Sequence, residues 1–209
     1  MSVVLSFNAW MREGLRASIL LRPRVLGERP GAWQLPALLV VLSIAEIALS
    51  RLEVQGPAVF DLRAWLGPWW ATAAALLLGW VVLSRSERGN VPAWLALWIA
   101  ALVPVTVVSQ ILGVALSRDM LPWVLPGSWA VWAISIALWA WSIGIALRLA
   151  GHFGASGRGL AGLGVGLFGL ILLSSFYFPD RPWQPDRTQA RSPERQGLVL
   201  SQDTFEAQQ

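Results

Sequence analysis

Few side chains in this sequence could do chemistry. There is no cysteine and His152 is the single histidine. Thiolate nucleophiles, disulfides and cysteine-ligated metals are therefore excluded within these residues. His152 stands in "GHFGASGRG" with no acid or nucleophile near it in sequence. General acid–base or metal chemistry needs such partners, so the residue reads as an ordinary loop or interface histidine. Glu46 lies inside a long apolar run, and an embedded acid is a candidate for proton or ion coupling. It also sits about one helical turn from the end of that run, near Arg51, where it can pair or reach water. Gln110 is a second candidate intramembrane polar site, in a run that also carries Pro104. "GASGRG" and "GLGVG" look only superficially like phosphate loops, because no strand precedes the first and the second lies within an apolar run. No catalytic, cofactor-binding or metal-binding residue is assigned, and no cofactor is expected.

The elements that would position these groups are apolar helices. The chain has 209 residues, 56% hydrophobic and 13% charged, against about 25% charged for a soluble domain. Charges cluster and leave runs of the length that crosses a bilayer core of about 30 Å. Spans are expected at about 34–50, 69–84, 91–117, 128–149 and 160–178. The fold class is all-α: a polytopic membrane helix bundle of about five transmembrane helices with an amphipathic N-terminal arm. Three regions follow: a basic amphipathic arm (1–31), the bundle (32–178) and a Pro-rich tail or linker (179–209). The five arginines of the arm, with no long apolar stretch before Trp33, argue against a cleaved signal peptide.

In the arm, Leu5, Trp10, Leu15, Ile19 and Leu20 are interspersed with Arg12, Glu13 and Arg16. That pattern fits a helix lying on the membrane surface, or a short cytosolic helix packing on the bundle. Leu62, Trp65, Leu66 and Trp69 suggest an interfacial helix, and 151–159 a flexible Gly-rich turn. Gly162, Gly166 and Gly169 form a small-residue stripe suited to helix packing within the bundle or to a self-contact. Trp33, Trp69, Trp70, Trp94, Trp123, Trp129 and Tyr177 fall near span ends, as membrane-interface anchors do. Trp80, Trp98, Trp132 and Trp139 lie deeper and read as packing residues. Residues 179–197 read as an extended linker. "LVLSQDTFEAQQ" then regains apolar spacing, with Ser201 able to cap a short helix, so it reads either as the start of a further domain or as a frayed end.

All sixteen basic residues are Arg, consistent with a GC-rich bacterial genome. They flank the apolar runs, as topology charges do, and no nucleic-acid partner is expected. With the N-terminus inside, nine arginines lie inside and three in the outer loops; the tail raises the outer number to seven. The bias and the five that precede the first span favour a cytoplasmic N-terminus and a periplasmic C-terminus in a bacterial inner membrane.

The basic arm with "LRASILLRP", the Trp-rich spans, the exit "FYFPDRPW", the polar linker and the closing "LSQDTFEAQQ" resemble the amino-terminal membrane region of bacterial legumain-like cysteine peptidases. The resemblance implies that the bundle is a non-catalytic anchor preceding a caspase-like peptidase domain. The family's catalytic His and Cys would reside C-terminal to Gln209, and no catalytic residue carries over onto this chain. The expected partners are thus the lipid bilayer and a C-terminal peptidase domain or a partner membrane protein. A stand-alone scaffold or assembly partner is the alternative. A transporter component, resting on Glu46, Pro104 and Gln110, is a third reading.

Overall fold

The computed structural model describes residues 5–25, 28–67, 69–84, 86, 90–118, 120, 129–178 and 182–186. Five helices are long and apolar enough to cross a membrane, and the protein is a multi-pass, all-α membrane bundle. α1 (Phe7–Ser18) precedes the first span, α2 (Gln34–Ser50), which runs into a short 3-10 turn, Arg51–Glu53. A short strand β1 (Ala58–Phe60) and a one-turn helix α3 (Leu62–Leu66) lead into α4 (Trp69–Leu83). The remaining spans are α5 (Val91–Ser117), α6 (Trp129–His152) and α7 (Gly157–Tyr177), followed by strand β2 (Trp183–Pro185). The expected span limits hold to within about three residues; the segments 121–128 and 187–209, with Trp123 and Ser201, lie outside the described residues.

α5 is the central helix. Its residues Ala93, Trp94 and Ala96 to Ala101 are all buried, because α1, α2, α4 and α6 pack around it. At 1.5 Å per residue its 27 residues span about 40 Å, longer than the bilayer core. Pro104 lies within it without ending the helix. Asn90 caps its start: Oδ1 accepts from the Ala93 N–H at 3.2 Å, while Nδ2 donates to the Glu28 carbonyl at 2.8 Å. Trp94 is fully buried, seated against Gly79 of α4 and stacked on Trp98 with ring centroids 5.2 Å apart. Its Nε1 donates to the Ala146 carbonyl of α6 at 3.2 Å. Trp94 is thus a core residue, not the interface anchor its position near a span end suggested. Trp80 and Trp132 are exposed, so within this chain they are not packing residues. Large rings turn toward lipid here because lipid is as apolar as the core, whereas close helix contacts select small residues.

The N-terminal arm is docked into the bundle. Trp10, Glu13, Gly14, Ala17 and Ser18 are its buried face, at the i, i+3, i+4, i+7, i+8 spacing of one helical stripe. Leu15 and Ile19, read from sequence as part of the membrane-facing set, lie on the outside. The reason is proximity: at Gly14 the helix backbone comes against Ala100 of α5, and an added Cβ would lie 2.8 Å from the Ala100 carbonyl carbon. Glu13, apparently a polar-face residue, points inward. Its Oε2 accepts from the Arg24 N–H at 2.9 Å and lies 3.5 Å from Arg16 Nε. The carboxylate therefore folds the following strap, residues 19–25, back along α1. Trp141 Nε1 of α6 donates to the Ser18 carbonyl at 2.6 Å.

The α6–α7 connection is a tight joint instead of the flexible turn expected from its glycines. Gly154 adopts φ +83°, the left-handed conformation favoured at helix C-termini. The Ala155 N–H then reaches the Ala150 carbonyl at 3.0 Å, and Ser156 Oγ caps α7 by accepting from the Gly159 N–H at 3.1 Å.

Candidate functional site

Consecutive antiparallel spans place the connection 51–67 and residues 182–186 at one end of the bundle, opposite α1. There the chain builds a small platform that the apolar pattern did not announce. β1 and β2 pair antiparallel, Ala58 opposite Pro185, Val59 opposite Gln184 and Phe60 opposite Trp183. The ladder is extended at both ends: the Asp61 N–H donates to the Pro182 carbonyl at 2.7 Å, and the Asp186 N–H to the Pro57 carbonyl at 3.0 Å. So residues 182–186, expected to be linker, are held against the first loop.

Two three-residue strands are too short to be stable alone. Trp183 supplies what the ladder lacks. Its Nε1 donates to the Ile47 carbonyl at 2.9 Å, its ring meets Phe60 edge-on at 5.0 Å, and the Arg51 guanidinium lies 5.7 Å from its centroid. Arg51 also donates to the Val54 and Gly56 carbonyls, each at 2.7 Å, closing a turn in which Gly56 has φ +78°. Arg51 looked like a topology charge; it organises the loop that receives the tail. Asp61 caps α3 through its Oδ1, which accepts from the Arg63 N–H at 2.9 Å. Gln55 and Arg118 tie the loop to the end of α5: Gln55 donates to the Ser117 carbonyl, and Arg118 to the Leu52 carbonyl. At the end of α7, immediately before the tail, the Phe178 ring packs on Gly67, giving the exit a second fixed point.

The residues singled out in the sequence do not converge. Glu46 lines a cavity of about 130 Å³ with Ser43, Trp65, Trp69 and Thr72, close to the platform, and makes no hydrogen bond or ion pair among the described residues. Of the two readings for Glu46, pairing with Arg51 or reaching water, the pairing is not formed: Arg51 is engaged with the loop carbonyls. Trp65 Nε1 in the same cavity is buried without a partner among the described residues. Gln110 is not among the residues lining that cavity, and its Oε1 is buried without a partner. The two polar groups thus form no relay. Of the glycine stripe, Gly166 packs on Leu78 of α4, while Gly162 and Gly169 meet nothing within 4 Å. Internal packing is therefore confined to Gly166, and a self-contact would fall to the other two. His152 ends α6, its Nε2 3.1 Å from the Val25 carbonyl. Among the described residues no three His, Asp or Glu side chains form a group suited to a metal ion.

The sequence reading missed Trp183, Arg51 and Glu13. "FYFPDRPW" carried the only signal for the first: an aromatic beyond the span end, next to prolines that restrict the backbone to extended conformations. No family model, curated protein or solved structure matches the chain.

Proposed function

We propose that the protein is a non-catalytic membrane anchor that holds an extracytoplasmic domain at a fixed exit point. The observation that carries this reading is the clamp on residues 182–186 by Phe60, Ile47 and Arg51. A free Gly- or Pro-rich linker lets its cargo range over a distance that grows with linker length; pinning its first residues beside the membrane fixes where that range begins. The arginine bias supports a cytoplasmic side for the opposite, α1-bearing face and a periplasmic side for the platform, in a bacterial inner membrane. The resemblance to legumain-like peptidases suggests a caspase-type cysteine peptidase as the domain held there.

A reporter fused after Gln209 tests the topology. A periplasm-active enzyme is expected to be active there and a cytoplasm-active one silent; the reverse pattern refutes the orientation. Reading the coding frame past Gln209 tests the cargo. A Gly- and His-bearing strand–loop followed by a Cys-bearing one supports a peptidase, and a stop at that point removes it from this gene product.

A second reading, a scaffold for a partner membrane protein, is favoured by the open space at Gly162 and Gly169. Cysteines placed at these positions should crosslink to a neighbouring helix in native membranes if the scaffold reading holds, and remain unlinked if it does not.

A further inference from the structure

At the face opposite the platform, a cavity of about 380 Å³ opens between the strap that follows α1 and the end of α6. That volume falls in the range of small-ligand sites, about 300–1,000 Å³. Among the described residues its lining is Arg22, Pro23, Arg148, Gly151 and His152: two guanidiniums and an imidazole, with no carboxylate among them.

Each of these side chains is positioned by its backbone. Arg148 and His152 are four residues apart on α6, hence on one helix face. Arg22 precedes Pro23, which restricts it to an extended backbone, and Pro23 is itself buried. His152 is oriented from behind. The Val25 carbonyl can only accept, so Nε2 is the donating nitrogen of that 3.1 Å bond and Nδ1 is left over. The carbonyls of the last turn of α6 are taken up by the Gly154 joint, with Leu149 and Ala150 accepting from Phe153 and Ala155. They add little acceptor character that would repel an anion.

Among the described residues the charge is not compensated. Neither Arg22 nor Arg148 has an ion pair or side-chain hydrogen bond among the described residues. Of the two acids in the arm, Glu13 accepts from the Arg24 backbone N–H and pairs with Arg16, and Glu28 is likewise engaged. From Met120 to Phe178 the sequence contains no Asp or Glu at all. Two guanidiniums beside one cavity with no described acid against them attract an anion from outside. Guanidinium forks match the oxygens of a phosphate, which can accept two parallel bonds from each. Basic pockets between spans at the membrane surface are where lipid headgroups of that chemistry dock.

We propose that this cavity binds a phosphate ester, held by Arg22 and Arg148 with His152 at its side. Its two sources are an anionic phospholipid headgroup and a soluble phosphate ester. The site is independent of which compartment this face adjoins.

The test uses the full chain in detergent and measures binding of fluorescently tagged phosphatidylglycerol by anisotropy, with tagged phosphatidylcholine as the reference lipid. Phosphatidylglycerol should bind at least about tenfold more tightly, Arg148→Gln should weaken it about tenfold, and Arg22→Gln/Arg148→Gln about a hundredfold. Both arginines are exposed, so the fold should tolerate the changes. Arg148→Lys, which keeps the charge and loses the fork, should fall between wild type and Arg148→Gln. Displacement of the lipid by millimolar glycerol phosphate would assign the site to soluble esters; lipid binding undisturbed by glycerol phosphate would assign it to the headgroup. The proposal is overturned if the double variant binds as wild type does. It is equally overturned if Arg158→Gln, which removes a charge outside the cavity, costs as much as Arg148→Gln; these arginines would then be topology charges alone.

Discussion

Replacing Gly14 with alanine should undock the N-terminal helix, although alanine is the better helix former. On propensity alone the change favours α1 by about 1 kcal/mol. Against this stands the contact: the new Cβ would collide with the Ala100 side chain and lie 2.8 Å from the Ala100 carbonyl carbon and 3.0 Å from the Ala101 nitrogen. These are backbone atoms of a helix packed on all sides, and they cannot swing away as a side-chain tip can. Overpacking costs about 1–3 kcal/mol, and backbone contact places this site at the upper end. The net is about 2 kcal/mol against docking, or roughly a thirtyfold larger undocked population. The assay is the initial rate of tryptic cleavage after Arg16 in the purified chain, under conditions where cleavage follows the population of the open form. Arg16 is partly covered and 3.5 Å from Glu13 when α1 is docked. Gly162→Ala is the matched control: nothing lies within 4 Å of the added methyl, so only the propensity gain remains and cleavage should stay at the wild-type rate. Equal cleavage of the Gly14→Ala and Gly162→Ala proteins would refute the close approach of α1 to α5.

Trp183→Ala removes an indole hydrogen bond, an edge-on aromatic contact and a cation–π contact, together about 1–2.5 kcal/mol; hydrogen exchange at the Asp61 and Asp186 amides, which donate across the ladder, should quicken roughly five- to seventyfold, and unchanged protection would mean that the ladder stands without its clamp. Trp94→Ala empties a fully buried site against Gly79 and Ala146, and should lower stability by about 3–5 kcal/mol in detergent unfolding; a loss below about 1 kcal/mol would contradict its core placement. Glu46→Gln should alter neither unfolding midpoint nor topology by more than about 0.5 kcal/mol, since the carboxylate has no partner among the described residues; a large shift would show that it carries an interaction not seen here.

Much of the bundle was legible because lipid imposes a one-dimensional rule: a segment must be long and apolar enough to span, and its backbone must satisfy itself. That rule gives α2 and α5 at the limits read from composition, and the others within a few residues. It is silent on rotation about each helix axis, since large apolar residues suit lipid and core alike. Hence Trp94, near a span end, is buried while Trp80, deeper in its span, is exposed, and Leu15 and Ile19 of the arm lie outside the face that docks on α5. The candidate site was least legible. The pairing of β2 with β1 joins residues more than 120 positions apart, and no local pattern encodes a contact of that range.

The sequence by itself determined the number of crossings, their ends and the asymmetry of charge between the two faces, because hydropathy, proline and arginine act locally. Tertiary structure alone decided which small residues meet, that Glu13 turns inward, and that Trp183 returns to Ile47. Each of those depends on the distance between helices, and that distance is fixed only when Gly14, Gly79 and their neighbours pack together.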